Sequence, residues 1–82
     1  VDIDWEYPGA PDRGGTTEDT ANYVSLVKDI RDAWDARVAP VTWGLSFTAP
    51  TSYWYMRWFD IGNMTQYVDW MNLMCYDLYG AW

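Results

Sequence analysis

Acidic and apolar residues alternate strictly over the first six positions of the chain, with carboxylates at Asp2, Asp4 and Glu6. A period of two is typical of a β-strand whose two faces meet different surroundings. The pattern predicts a first strand that points all three carboxylates to one side. Pro8 cannot donate to a sheet ladder and predicts the end of this strand, so Glu6 lies near its C-terminal end.

Apolar residues then recur at helical spacing from Tyr23 to Trp34. The opposite side carries the charged residues Lys28, Asp29, Arg31 and Asp32. This segregation predicts an amphipathic helix that covers a sheet. Thr16 or Thr17 can cap its start, and its predicted end lies near Arg37, before a proline.

Two further strands are predicted in the second half of the chain. Residues 41–49 alternate again, with Leu45 and Phe47 on the same face as Trp43. Residues 68–76 are nearly all apolar, which predicts a strand buried on both faces. Between them lie an aromatic-rich segment and, at 60–67, a short turn or weak helix.

The order strand, helix, strand, short helical connection, strand indicates an α/β fold with a parallel sheet and right-handed crossovers. Further βα units would complete either a (β/α)8 barrel or an open doubly wound sheet. The barrel is favoured because it gives the polar faces of the strands a shared interior. Val1 begins within the predicted strand and Trp82 stands where a loop opens, so we interpret these 82 residues as an internal fragment. Three strands leave bare edges, so we expect the fragment to fold poorly alone.

Charge and composition narrow the classes of partner. The net charge is -7 and there is no basic cluster, which disfavours nucleic acid and anionic membranes. The chain has no histidine, so Ser-His-Asp or Cys-His catalysis and histidine-based metal sites cannot be built from these residues. Cys75, the single cysteine, is predicted to be a small buried hydrophobe.

The acidic stripe has three interpretations from its residues alone. A half-exposed strand would merely solvate the three carboxylates, and short motifs of this kind match by chance. Asp and Glu oxygens also suit calcium or magnesium, although no glycine-turned loop wraps them around an ion. Alternatively, like charges about 6.5 Å apart disfavour joint ionisation, and a carboxyl that keeps its proton can act as a general acid.

Two motifs, in order and at plausible spacing, resemble glycoside hydrolase family 18, the chitinase family. The first is residues 2–8, Asp-Ile-Asp-Trp-Glu-Tyr-Pro, and the second is residues 74–77, Met-Cys-Tyr-Asp. The loop after Pro8 and residues 46–50 resemble the fungal members in particular, and the similarity covers nearly the whole chain. The family signature begins with Asp-Gly, two residues that would precede Val1. The resemblance implies that residues 1–82 are part of the catalytic domain, about strands 4 to 6 of a (β/α)8 TIM barrel, truncated at both ends.

The resemblance also implies substrate-assisted hydrolysis of a β-1,4 bond beside N-acetylglucosamine, without a metal or cofactor. Glu6 would protonate the leaving oxygen, Asp4 would orient the acetamido group, and Asp2 would share a proton or hydrogen bond with Asp4. Tyr76 would hold the acetamido oxygen and Asp77 would bind the distorted sugar. The residues implied to line the sugar pocket are Tyr7 and Met74.

The aromatic residues have two interpretations, sugar stacking and core packing. Sugar rings present apolar faces that stack on Trp and Tyr. The residues that fall in loops after predicted strands are Tyr53, Trp54, Tyr55, Trp58, Tyr79 and Trp82, of which we take Trp54 and Trp82 as candidate substrate contacts. The phases of Trp5, Trp34 and Trp43 predict positions in the core.

Other activities share this family. An endo-β-N-acetylglucosaminidase acting on N-glycans could use the same machinery, whereas a chitinase-like lectin only binds sugar and typically loses the acid that is present here as Glu6. The resemblance implies chitin or N-acetylglucosamine oligomers as partners and an extracellular location, secreted or at the cell wall. The oligomeric state is not predicted.

Overall fold

The computed structural model describes residues 1–37 and 43–75. Their elements are β1 (Asp2–Ile3), α1 (Asp19–Ala36), β2 (Ser46–Pro50), α2 (Tyr53–Met56), α3 (Ile61–Met64) and β3 (Trp70–Met74). The strands lie side by side in the order β1-β2-β3, and both pairings are parallel. This confirms the predicted parallel sheet, the end of the long helix and the weak helix at 60–67.

β1 is shorter than the alternating pattern predicted. Its paired residues are Asp2, opposite Ser46, and Ile3, opposite Phe47. The carbonyl oxygen of Ile3 accepts hydrogen bonds from two hydroxyls, that of Thr48 at 3.1 Å and that of Tyr23 at 3.4 Å. Side chains thus cover the point where the strand ends, and residues 4–6 continue beyond the ladder.

The core lies between α1 and β2. Tyr23 and Val27 on the helix are fully buried, as are Leu45 and Phe47 from the second strand segment. The Tyr23 ring meets the Phe47 ring edge-on, with centroids 6.0 Å apart. This confirms the inward face of α1 at Tyr23 and Val27 and the inward position of Phe47, whereas Leu26, in the same apolar series of the helix, is 40% exposed.

The start of α1 differs from the predicted threonine cap. Glu18 occupies the N-cap position and makes no side-chain cap. The carboxylate of Asp19 instead accepts the backbone N–H of Gly9 at 3.0 Å, the N–H of Thr16 at 2.9 Å and the Thr16 hydroxyl at 3.3 Å. These bonds, that of Gly9 first, lower the pKa of Asp19. The helix is therefore fastened to the loop after β1, which periodicity could not indicate.

Two of the three tryptophans predicted in the core pack partly against it, and one does not. Trp5 and Trp34 are half-buried beside the core cluster. Trp43 is 48% exposed and meets the Trp34 ring edge-on at 5.4 Å, with the guanidinium of Arg37 3.3 Å from its ring centroid. The prediction for Trp43 was wrong because its ring packs on Trp34 and Arg37, three residues before β2 begins, and not in the core.

The predicted burial of β3 on both faces was also wrong. Trp70 and Leu73 are exposed, whereas Met74 is buried. In the described sheet β3 pairs on one side with β2 and forms the outer strand. Cys75 follows it and is exposed as a free thiol, which overturns its prediction as a buried hydrophobe.

Arg31, predicted on the solvated side of the helix, is only 17% exposed. Its Nε donates to the carbonyl of Tyr67 at 2.8 Å, and its Nη2 lies 2.9 Å from Asp69 Oδ2. Asp69 also accepts the backbone N–H of Leu45 at 2.7 Å. The aliphatic part of an arginine side chain can lie along the core while its guanidinium reaches polar groups. Classing Arg31 as charged therefore predicted the wrong side of the helix.

Asp69 should make the stability of the protein dependent on pH. The Leu45 N–H first, and then Arg31, lower the pKa of Asp69 below 3.8. Because the folded pKa is depressed, its contribution is complete above the unfolded value and is lost as pH falls through the folded one. We therefore expect Asp69→Asn to lower Tm at pH 7, and the difference from wild type to shrink below about pH 4.

The measurement is Tm against pH for the full-length protein, meaning the complete polypeptide in which these residues occur. Asp35→Asn is the matched control because Asp35 is 68% exposed and only 4.0 Å from Arg31. An exposed pair of that kind contributes little to stability. A Tm difference for Asp69→Asn that stays constant down to pH 2.5 would contradict the assignment.

Candidate active site

Three polar side chains from neighbouring strands meet at the start of the acidic stripe. Asp2 Oδ1 accepts the hydroxyl of Ser46 at 2.8 Å and the side-chain amide of Asn72 at 3.2 Å. Ser46 is almost completely buried, whereas Asp2 and Asn72 remain exposed. Ser46 from β2 and Asn72 from β3 thus hold the carboxylate of Asp2, in β1, on one face of the sheet.

Asp4 lies one step along the chain from the end of β1, with an exposed side chain. Burial raises the pKa of the Tyr23 hydroxyl, and the negative charges of Asp2 and Asp4 raise it further. Both carboxylates therefore act on the same buried hydroxyl, which stays protonated and donates to the backbone. The face that carries Asp2 and Asp4 has a negative potential, which would stabilise a positive charge developing beside it.

Glu6 is exposed, and the next residue, Tyr7, is buried. The Tyr7 hydroxyl donates to Glu6 Oε1 at 3.4 Å, a longer contact than the roughly 2.7–2.8 Å usual between oxygens. The Tyr7 ring stacks on that of Tyr55, with centroids 4.0 Å apart and planes at 20°. Glu6 is thus presented to solvent by a neighbour that is itself held in place.

Of the loop aromatics, Trp54 is 53% exposed and the guanidinium of Arg57 lies 4.1 Å from its ring centroid. Arg57 also donates to the carbonyl of Trp54, at 2.9 Å, so the arginine supports one ring face. Tyr55 and Trp58 are half-buried and pack within the chain. Of the two interpretations, packing describes Tyr55 and Trp58, whereas Trp54 has the exposure that sugar stacking needs.

Met74, a predicted pocket residue, is buried in the core cluster, and its carbonyl accepts the Thr51 hydroxyl at 3.3 Å. The predicted site residues Tyr76, Asp77 and Trp82 lie outside the described residues, as does Tyr79. Within residues 1–37 and 43–75, no group of three or more metal-ligating side chains is placed to hold an ion. In the same ranges, no helix combines the length and apolarity needed to cross a bilayer.

The family model for glycosyl hydrolases family 18 matches residues 1–82. The chain belongs to this family. A probable chitinase of Penicillium expansum and the killer toxin subunits alpha/beta of Kluyveromyces lactis are each 37% identical to it over 86 residues, covering 100% of the chain. Among solved structures, chitinase ChiW from Paenibacillus sp. str. FPU-7 superposes with a TM-score of 0.90 at 36% identity, also over 100% of the chain.

These comparisons identify the chain as a portion of a TIM barrel. It spans 7% of the Penicillium protein, 7% of the Kluyveromyces protein and 10% of the ChiW chain. In such barrels the active site lies at the C-terminal ends of the strands. Glu6 follows the C-terminal end of β1, so it lies at that end of the sheet.

Two groups of residues around Asp2, Asp4 and Glu6 were not predicted as functional. Ser46 and Asn72 fix Asp2, and the available signal was their polarity on the inward phase of two predicted strands. Tyr55 and Arg13 enclose Tyr7 through contacts between distant loops, for which the sequence carries no periodic signal. These neighbours determine how the acidic side chains are held.

Proposed function

We propose that the full-length protein is a chitinase that hydrolyses β-1,4 bonds between N-acetylglucosamine units of chitin by a retaining, substrate-assisted mechanism. One observation carries the proposal: Asp2 lies in a parallel strand, and Asp4 and Glu6 follow its C-terminal end, in a chain that belongs to family 18. Residues 1–82 are, in this proposal, part of its catalytic domain.

In the first step, Glu6 gives its proton to the glycosidic oxygen while the bond from that oxygen to the anomeric carbon breaks. The acetamido oxygen of the same sugar attacks the anomeric carbon, forming an oxazolinium ion in place of a protein-bound intermediate. In the second step, the Glu6 carboxylate takes a proton from water while the water oxygen attacks that carbon and the bond from the carbon to the acetamido oxygen breaks. Two displacements retain the configuration, and Glu6 regains its proton.

Asp4 orients the acetamido N–H and stabilises the positive charge of the oxazolinium ion. Asp2 supports Asp4, and its own position is fixed by Ser46 and Asn72. A carboxylate already held by neighbours loses little freedom when the transition state forms, which favours electrostatic stabilisation. The further roles are assigned to Tyr76 on the acetamido oxygen and Asp77 on the distorted sugar.

Trp54 supplies a sugar-stacking surface outside the reacting centre. Its exposed ring, supported by Arg57 on one side, fits the apolar face of a pyranose. Trp82 has the same proposed role, and Tyr7 and Met74 line the pocket of the reacting sugar. Action outside the cell is part of the proposal, because ChiW is described as a cell-surface-expressed enzyme.

The experiment compares fully acetylated and fully deacetylated glucosamine oligomers of equal length as substrates of the full-length protein. We expect cleavage of the acetylated oligomer alone, with the β-anomer as the first product, because the acetamido oxygen is the nucleophile. Product masses measure cleavage and NMR measures the anomer. Equal cleavage of both oligomers would exclude substrate assistance, and tight binding without cleavage would move the protein to the lectin class. Preference for the paired sugars of an N-glycan would indicate the endo-β-N-acetylglucosaminidase.

A further inference from the structure

A cluster of aromatic and charged residues encloses the side chain that follows the acid. The Tyr7 and Tyr55 rings are stacked, and the guanidinium carbon of Arg13 lies 5.4 Å from the first centroid and 5.8 Å from the second. The Tyr55 hydroxyl donates to Asp12 Oδ2 at 2.7 Å. Asp12 and Arg13 sit in a single 3-10 turn, residues 11–13, in the loop that follows Glu6.

This cluster joins two loops at the same end of the sheet. Tyr7 and the 3-10 turn belong to the connection between β1 and α1, whereas Tyr55 belongs to α2, just after β2. A stacked aromatic pair with a cation over it favours one ring orientation over the others. The ring of Tyr7 is therefore fixed not only by its own loop but also by the helix that follows the neighbouring strand.

The orientation of Tyr7 decides which oxygen of Glu6 receives a hydrogen bond. Its hydroxyl points to Oε1 at 3.4 Å. An oxygen that accepts a hydrogen bond is the poorer place for the acidic proton, so Oε2 carries the proton that the glycosidic oxygen receives. Catalytic hydrogen bonds are often long without substrate and tighten when it binds.

The geometry points to Tyr55 and Arg13 as positioning residues that act on Glu6 through Tyr7; this rests on the proposed function. Tyr55 is half-buried, its ring packs on Tyr7 and its hydroxyl is bound to Asp12, so we assign it a packing role and not sugar stacking. Its effect is on the rate of proton transfer and not on the affinity for the oligomer. Small misplacements of a reacting group cost large factors in rate.

The test is a double-mutant cycle on kcat in the full-length protein, with an acetylated glucosamine oligomer as substrate. Tyr7→Phe keeps the stack and removes the hydroxyl, and we expect it to lower kcat about tenfold with KM unchanged. Tyr55→Ala should give a similar loss. The double variant should lose no more than either single variant, because both changes remove the same contact.

Conservative variants separate positioning from general damage. Tyr55→Phe keeps the ring and should retain kcat within about threefold, and Arg13→Met, which keeps the stem without the charge, should fall between wild type and Tyr55→Ala. If Tyr55→Ala does not fold, Tyr55→Leu replaces it, since leucine fills space without a planar ring. Asp69→Asn weakens the fold elsewhere, so its change in log kcat and that of Tyr7→Phe should add in the double variant.

The outcomes distinguish this inference from the proposed function. If wild type cleaves the oligomer, Glu6→Gln does not, and the losses of Tyr7→Phe and Tyr55→Ala multiply in the double variant, the positioning role is overturned and the chitinase stands. A loss confined to KM overturns it as well. If wild type fails to cleave, or Glu6→Gln still cleaves, the proposed function falls and the inference falls with it.

Discussion

Replacing Glu6 by glutamine in the full-length protein should nearly abolish turnover of acetylated oligomers while leaving their binding intact. Glutamine has the shape of glutamic acid but has no acidic proton to give to the leaving oxygen. General acid catalysis contributes about 10²–10⁴-fold to rates, so kcat should fall by at least that order. Steady-state kinetics measures the loss, and calorimetry with the intact oligomer measures the affinity.

The matched control is Glu18→Gln, since Glu18 is the only other glutamate in the sequence. It precedes α1 and is exposed, and its pKa is lowered by its own backbone N–H and by Thr16, in contacts that do not involve the acidic stripe. This variant should keep kcat within about twofold, as expected for an exposed side chain outside the site. A Glu6→Gln protein within tenfold of wild type would rule out Glu6 as the acid.

Replacing Gly9 by alanine should be among the most destabilising single changes in the loop. Gly9 has a φ of +73°, and an added Cβ would lie 2.5 Å from Cδ2 of Trp58 and 2.7 Å from its Cγ. The positive φ costs about 1–2 kcal/mol for a residue with a side chain. Because the clash meets the base of the indole, the ring must move as a whole, at an overpacking cost of about 1–3 kcal/mol. Urea unfolding of the full-length protein should show the sum.

Two other glycines separate the cost of the positive φ from the cost of the clash with Trp58. Gly14 also has a φ of +73°, but nothing lies within 4 Å of an added Cβ, so Gly14→Ala should lose only the backbone term. Gly62, in α3, has open space around an added Cβ and no positive φ, so Gly62→Ala should be neutral or slightly stabilising. Equal losses at Gly9 and Gly14 would show that Trp58 yields without cost.

The fold was predictable where local pattern and tertiary structure agree. Helical spacing identified Tyr23 and Val27 as the buried face of α1, and alternation identified Leu45 and Phe47. The errors fall on residues whose surroundings are set by distant groups. Arg31 is turned inward by Tyr67 and Asp69, which lie more than 30 positions away in the chain.

The sequence predicted which residue types form the site, but not the contacts that hold them in place. Strict alternation placed Asp2, Asp4 and Glu6 on one stripe, yet the ladder ends at Ile3, because two hydroxyls take the last carbonyl. The stacking of Tyr7 on Tyr55 joins two loops separated by a helix and a strand. A contact of that kind leaves no periodic trace, so it becomes visible only in three dimensions.

The bonds from Asp19 to Gly9 and Thr16 divide the loop after β1 into parts with different freedom to evolve. Gly9 and Thr16 stand at the two ends of the loop, and both donate backbone N–H groups to the carboxylate of Asp19 in α1. Gly14, near the tip, has no neighbour that an added side chain would meet. Residues could be inserted or exchanged at the tip, which would change what the loop contacts, while the anchored ends of the loop keep Glu6 in place. New specificity and unchanged chemistry would then arise within one connection, residues 4–18.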